Sequence, residues 1–208
     1  MSPRRALPRF LADQTGAAAV EFALVSLVFL SLMVGTVDVT RLLWEVNSIK
    51  GGTRAAARYA VVNPPAAQAL TDFDGVSLGY GGGQAIPASV IGTYICTSTG
   101  CTCSGGTSCG ANTLDSTTFD AIVAIMQGYY SGVDPTSIVV QYSPVGLGIS
   151  GNPFGPDVDP LVTVRLCQAS DGAACTPMQF APGVLQAFGI APFNMPPVAS
   201  SLSGEDLS

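Results

Sequence analysis

The chain has no histidine at all, and only eight of its 208 residues are lysine or arginine, against fourteen aspartates and glutamates. The first absence removes the side chain most often used as a general base near neutral pH, which weakens any catalytic reading. The second leaves a net charge of -6 and no basic surface for a nucleic-acid backbone. Charge of either sign is scarce, at 11% of residues, while 48% are hydrophobic. With 24 glycines and 15 prolines, this is not the composition of a charge-rich disordered tail. The length suits one ordinary domain plus an anchor.

Several local signatures are missing too. Cys96, Cys101, Cys103 and Cys109 form no CxxC pair and have no histidine beside them, so disulfides are favoured over zinc. Asp72 and Asp74 in TDFDG, and Asp157 and Asp159 in GPDVDP, lack the spacing of an EF-hand loop and read as turn-capping residues. GYGGGQAIP, residues 79–87, has neither the lysine nor the following helix of a nucleotide-binding loop. No metal site and no cofactor is expected.

What is present begins with an apolar run from Ala17 to Val37, interrupted by one charge, Glu21. At about 1.5 Å per residue the run covers roughly the 30 Å of a bilayer core, and it reads as a transmembrane helix. Arg4, Arg5 and Arg9 precede it, whereas only Arg41 and Lys50 fall soon after, with Arg54 and Arg58 beyond. That bias places the N-terminus in the cytoplasm. Cys167 and Cys175 join the other four cysteines after the run, on the side where disulfides form if it is extracytoplasmic. Cys167 and Cys175 close a short loop and are a favoured pair; otherwise the connectivity stays open among the fifteen that six cysteines allow.

Beyond the run, Val39, Leu42, Leu43, Val46 and Ile49 recur at helical spacing, with Asp38, Arg41 and Glu45 placed for i,i+3 and i,i+4 pairing. The expectation is one long helix from Ala17 to about Val61, weakened or bent at Gly51-Gly52 and ended before Pro64. Trp44 suits the membrane interface or the inner helix face. Residues 64–92 read as irregular, and Thr97–Thr113, nearly all small and polar, as a stretch that only its cysteines can tie down. Asp115 to Asp120 cap a short helix that carries Phe119, Ile122, Val123 and Met126 on one face and ends near Gly128 or Gly132. TSIVVQYSP and PLVTVRLCQ are β-branched runs between turn signals and predict an antiparallel pair. The fold class is α+β: a long N-terminal transmembrane and amphipathic helix packed on a small antiparallel sheet, with a short helix and disulfide-tied loops. Its divisions are residues 1–16, 17–37, 38–63 and an extracytoplasmic domain over 64–208.

Gly16 followed by AAAVEF, with the glutamate at the fifth position, resembles the processing site of prepilins. GAAAVEFALV, VDVTRLLWEVNSI and TRAAARYAVV together are similar to the TadE-like minor pilins, or pseudopilins, of the tight-adherence (Flp) pilus systems of bacteria. In that family a proline often follows the glutamate; here the chain reads ALVSLVF, which removes the expectation of a kink there. The resemblance covers about residues 13–62. It implies a leader of residues 1–16 removed by a prepilin peptidase between Gly16 and Ala17, and single-pass insertion in the cytoplasmic membrane. Its implied partners are other pilin and pseudopilin subunits and the pilus assembly platform.

A carboxylate inside a membrane costs roughly 2.5–3.5 kcal/mol at the centre and less near the end, so Glu21 needs a reason. In a bundle of mature subunits it can neutralise the new α-amine of a neighbour, a pairing that sets axial register because either charge alone is costly in an apolar bundle. The alternative is an unprocessed single-pass envelope protein whose outer domain binds a ligand or cell-wall component. A secreted protein is disfavoured because the run is too long for a signal peptide and no small-x-small site follows it. A hydrolase lacks a base beside any Ser or Cys.

Overall fold

The computed structural model describes residues 16–111, 113–153, 155–168, 170–171 and 174–203. Residues 1–15 of the expected leader, and the closing residues 204–208, lie outside the described residues. The chain falls into two compact units, Met1–Leu42 with Ala181–Pro192, and Leu43–Phe180 with Phe193–Ser208.

Helix α1 (Ala17–Val62) contributes to both units. It ends where the sequence predicts: the backbone N–H and side-chain amide of Asn63 both donate to the Tyr59 carbonyl, and Pro64-Pro65 cannot continue the turn. Its glycine pair does not interrupt it. Gly51 and Gly52 instead let a second helix come close. A Cβ at Gly51 would stand 3.0 Å from the Tyr129 ring, and one at Gly52 3.3 Å from the Tyr129 Cβ. The cost of glycine in a helix, about 1 kcal/mol, is offset by that approach.

The approaching helix is α3 (Ser116–Tyr129), which follows the one-turn α2 (Gln68–Thr71). The Asp115 carboxylate caps α3 by accepting from Thr117 N–H at 2.9 Å, and Thr118, Phe119, Ile122, Val123 and Met126 are buried as one face. The sequence predicted all of these but Thr118. On α1 the buried face of the larger unit is Val46, Ile49, Thr53, Ala56, Ala57 and Ala60. Val39 and Leu43, which the spacing placed on an inner face, are exposed, because that core begins only at Val46. Trp44 is exposed as well and meets Tyr130 edge-on at 6.3 Å.

Five antiparallel strands make the main sheet: β1 (Thr93–Thr97), β2 (Gly100–Ser104), β3 (Ile138–Ser143), β4 (Leu161–Leu166) and β9 (Val198–Leu202), in the order β2-β1-β3-β4-β9. The predicted pair β3–β4 is its centre, with Val140 opposite Val164 and Tyr142 opposite Val162. Three strands were not predicted. β1 and β2 form a hairpin at the start of the small polar stretch, and β9 comes from the Ser-rich tail. β1 carries strand-forming Thr, Tyr and Ile and pairs with β3, whereas β2 and β9, poor in such residues, become strands by pairing with β1 and β4. Thr53 of α1 shares a 3.0 Å hydrogen bond with Ser200 of β9, which ties helix to sheet. Tyr94 and Tyr142, cross-strand partners, are buried. Their hydroxyls accept from the Gly110 and Ala66 N–H groups, each at 2.8 Å. Burial pushes the Tyr142 hydroxyl up to about 12.

All six cysteines pair, as Cys96–Cys101, Cys103–Cys109 and Cys167–Cys175. The first joins residues opposite each other in the β1–β2 hairpin. The third closes the favoured loop, whose short strands β5 (Ser170–Asp171) and β6 (Ala174–Cys175) pair with each other. Cys167 and Cys175 pack with Ile95 and Val139 as a small cluster. The two-residue strands β7 (Gln179–Phe180) and β8 (Phe193–Asn194) bring Phe180 and Phe193 to 5.6 Å.

The loops depend on one buried carboxylate. Asp157 accepts from Gly75 N–H at 2.7 Å, Gly151 N–H at 3.0 Å and Asn152 N–H at 2.8 Å, so it ties two distant loops together. Asp74 caps its own turn through Val76 N–H. Asp74 and Asp157 thus take the turn-capping role expected of them, one in each Asp pair. The Gly151 and Gly75 N–H groups hold the Asp157 carboxyl below the usual carboxylate range, against the opposing effect of burial, with Asn152 N–H adding to them.

A carboxyl depressed in the folded state adds stability above its unfolded value, 3.8, and loses it as pH falls through the lower folded value. Asp157→Asn is expected to lower the thermal midpoint by several degrees at pH 7, and the gap to the parent to narrow below about pH 4; an equal gap at pH 7 and pH 3 contradicts this role. Replacing Cys167 and Cys175 together by alanine should cost about 2–3 kcal/mol in urea unfolding. Gly52→Leu should cost about 1–3 kcal/mol by driving α3 off α1, and an unchanged midpoint would show that the glycine pair is not a packing notch.

Candidate functional site

The site is the first half of α1. Gly16 lies in the turn that precedes it, and its carbonyl accepts from Val20 N–H at 3.1 Å; Ala17 is the first helical residue. Glu21 stands one turn further on. It is exposed, and makes no hydrogen bond among the described residues. Val20, Phe22, Leu24, Val25, Leu27, Val28, Phe29 and Leu30 are all more than half exposed. The apolar side chains therefore face outward on every side, as in a helix whose solvent is not water.

Two measures separate this from the core helix of a soluble fold. The most apolar window of 18 residues has a mean hydropathy of 2.3, and none of it is buried. The hydroxyls in it are already satisfied. Ser26 donates to the Ala23 carbonyl at 3.0 Å, Ser31 to Val28 at 2.8 Å and Thr36 to Met33 at 2.7 Å. A hydroxyl that returns its proton to its own helix costs little in hydrocarbon, where a bare one costs several kcal/mol. Glu21 is the one group in the run without such relief.

At the far end of the run the chain does something that the helical spacing did not predict. Asp38 is only 2% exposed. Its carboxylate accepts from Gly183 N–H at 3.0 Å, Val184 N–H at 3.1 Å and Leu185 N–H at 2.7 Å. Arg41, the expected i,i+3 partner, is placed so that a Cβ on Gly183 would approach its Nη1 to 2.7 Å. The segment 181–192, with a short 3-10 helix at Leu185–Phe188, is thus seated on the Asp38 side of α1. Sequence offered one signal, an acid at the last turn of an apolar run. It offered none for the partner.

The larger unit has a cavity of about 270 Å³ among Ala60, Asn63, Leu70, Tyr142, Val158 and Val162. The Tyr142 hydroxyl on its wall is already engaged by Ala66 N–H.

Comparison with known proteins agrees with the helix. Residues 16–58 match the family model described as TadE-like protein. No curated protein and no solved structure matches. The match begins at Gly16, takes in Ala17, Glu21, Asp38 and Arg41, and ends within α1. The family suggests association with Tad (Flp) pili, and the apolar helix points to membrane anchoring. Over residues 16–58, about a fifth of its length, the chain is similar to TadE-like proteins.

Proposed function

We propose that the chain is a non-catalytic, prepilin-type minor pilin or pseudopilin that takes part in assembling a tight-adherence pilus. The observation that carries this reading is Glu21: an exposed carboxylate without a hydrogen-bond partner among the described residues, one turn into an otherwise apolar and unburied helix. An isolated acid is costly in such a place and becomes useful only when a cation is brought to it. Cleavage between Gly16 and Ala17 by a prepilin peptidase supplies that cation, the new α-amine, on each subunit.

The cycle then runs as follows. The precursor inserts with residues 1–16 in the cytoplasm and the larger unit outside, where its three disulfides form. Removal of the leader exposes the amine of Ala17. Apolar helices of neighbouring subunits pack side by side, and the amine of one meets Glu21 of another. Registers that leave either charge alone are rejected at a cost of several kcal/mol. The larger unit, poor in charge, faces other subunits or the assembly platform.

N-terminal sequencing of the protein recovered from its own cell membranes tests this reading. The expected start is Ala-Ala-Ala-Val-Glu, and Glu21→Ala should leave membrane insertion intact while lowering recovery in sheared pili at least tenfold. A start at Met1 or Ser2 overturns it in favour of an unprocessed envelope protein.

A further inference from the structure

We propose that segment Ala181–Pro192 is a second membrane contact, a loop seated in the headgroup region of the outer leaflet beside the end of the apolar run. The inference rests on residues 17–37 crossing the bilayer, and reaches beyond it to a part of the chain some 145 residues away.

Position is the first observation. Gly183, Val184 and Leu185 are bonded to Asp38, the residue that follows the run, so the loop lies at the depth where α1 leaves the hydrocarbon. Between Leu27 and Val37 the two half-buried positions are Val34 and Gly35, one turn before Asp38 on its own face. The covered strip of α1 in this unit therefore extends a turn into the run.

Chemistry is the second. No charged residue occurs between Asp171 and Glu205, an uncharged stretch that contains the whole loop. Phe188 is 63% exposed, and Val184 and Ile190 are exposed beside it. Three apolar side chains on a loop already next to a membrane helix fit a lipid boundary better than water.

Backbone satisfaction is the third and the most specific. A loop near lipid must hide its N–H groups. Asp38 takes those of Gly183, Val184 and Leu185. Ala187 donates to Val184, Gly189 to Gln186 and Ile190 to Leu185. Pro182 and Pro192, at either side, have no N–H to hide. The same bonds supply Asp38 with donors where a bare carboxylate at the bilayer edge would be costly.

The test uses the full chain in vesicles of phosphatidylethanolamine and phosphatidylglycerol. Trp44→Phe removes the single native tryptophan. Phe188→Trp and, separately, Phe29→Trp are then added, and each is read with lipids brominated near the headgroup or near the chain end. The loop reading expects the Phe188→Trp emission to be blue-shifted and about twofold quenched by the shallow bromines, and Phe29→Trp to be quenched by the deep ones. Quenching of Phe29→Trp alone overturns the loop contact but leaves the span standing. A blue-shifted, unquenched Phe188→Trp signal overturns it in favour of cover by a second copy. No quenching at either position overturns both readings.

Discussion

One helix has two different surfaces to present. Over its first half α1 turns apolar side chains outward on all sides and closes its hydroxyls onto its own carbonyls. Over its second half it narrows to a face of Val46, Ile49, Thr53 and small alanines, against which sheet and α3 are built. The change is written into side-chain size: bulky residues where the helix is bare, Ala and Gly where backbones must come close. Everything else in the larger unit follows from that spine, because a sheet of this size needs a helix to cover one face.

Scarcity of charge shapes how the chain handles its buried acids. The whole sequence has only eight basic residues for fourteen acidic ones. Asp38 and Asp157 each gather three backbone N–H groups, Asp38 from residues 183–185 far along the chain, and Asp157 from distant Gly75 and nearby Gly151 and Asn152. Asp115 caps α3 by the same chemistry at short range. A carboxylate bonded to N–H groups fixes the path of a loop, which a flexible lysine would do less well. Glu21 differs from these residues in having no such donors among the described residues, and the proposed pairing between chains rests on that difference.

How much of this was legible depended on whether the cause was local. The extent of α1, the cap and face of α3 and the β3–β4 pair follow from periodicity and end signals, and the structure has them. Strands β2 and β9 do not, since Gly-Cys-Thr-Cys-Ser and Val-Ala-Ser-Ser-Leu become strands by pairing with β1 and β4, while β1, Thr-Tyr-Ile-Cys-Thr, carried a short strand signal that went unread. Gly51-Gly52 looked like a weakness because its partner, Tyr129, is nearly eighty residues later. Gly16, Ala17 and Glu21 stood out by motif alone. Asp38 was visible only as half of a helical ion pair, because spacing carries no information about residues 183–185.

The central claim is that α1 passes out of lipid at Asp38, and depth along the helix tests it most directly. All six native cysteines are paired, so a thiol introduced at Leu24, Leu27, Leu30, Met33, Val37 or Lys50 is the one available to a nitroxide. In bilayers the account predicts high oxygen and low nickel accessibility from Leu24 to Met33, a fall in that ratio at Val37, and water-like values at Lys50. Nickel accessibility that is high and uniform from Leu24 to Lys50 would contradict it.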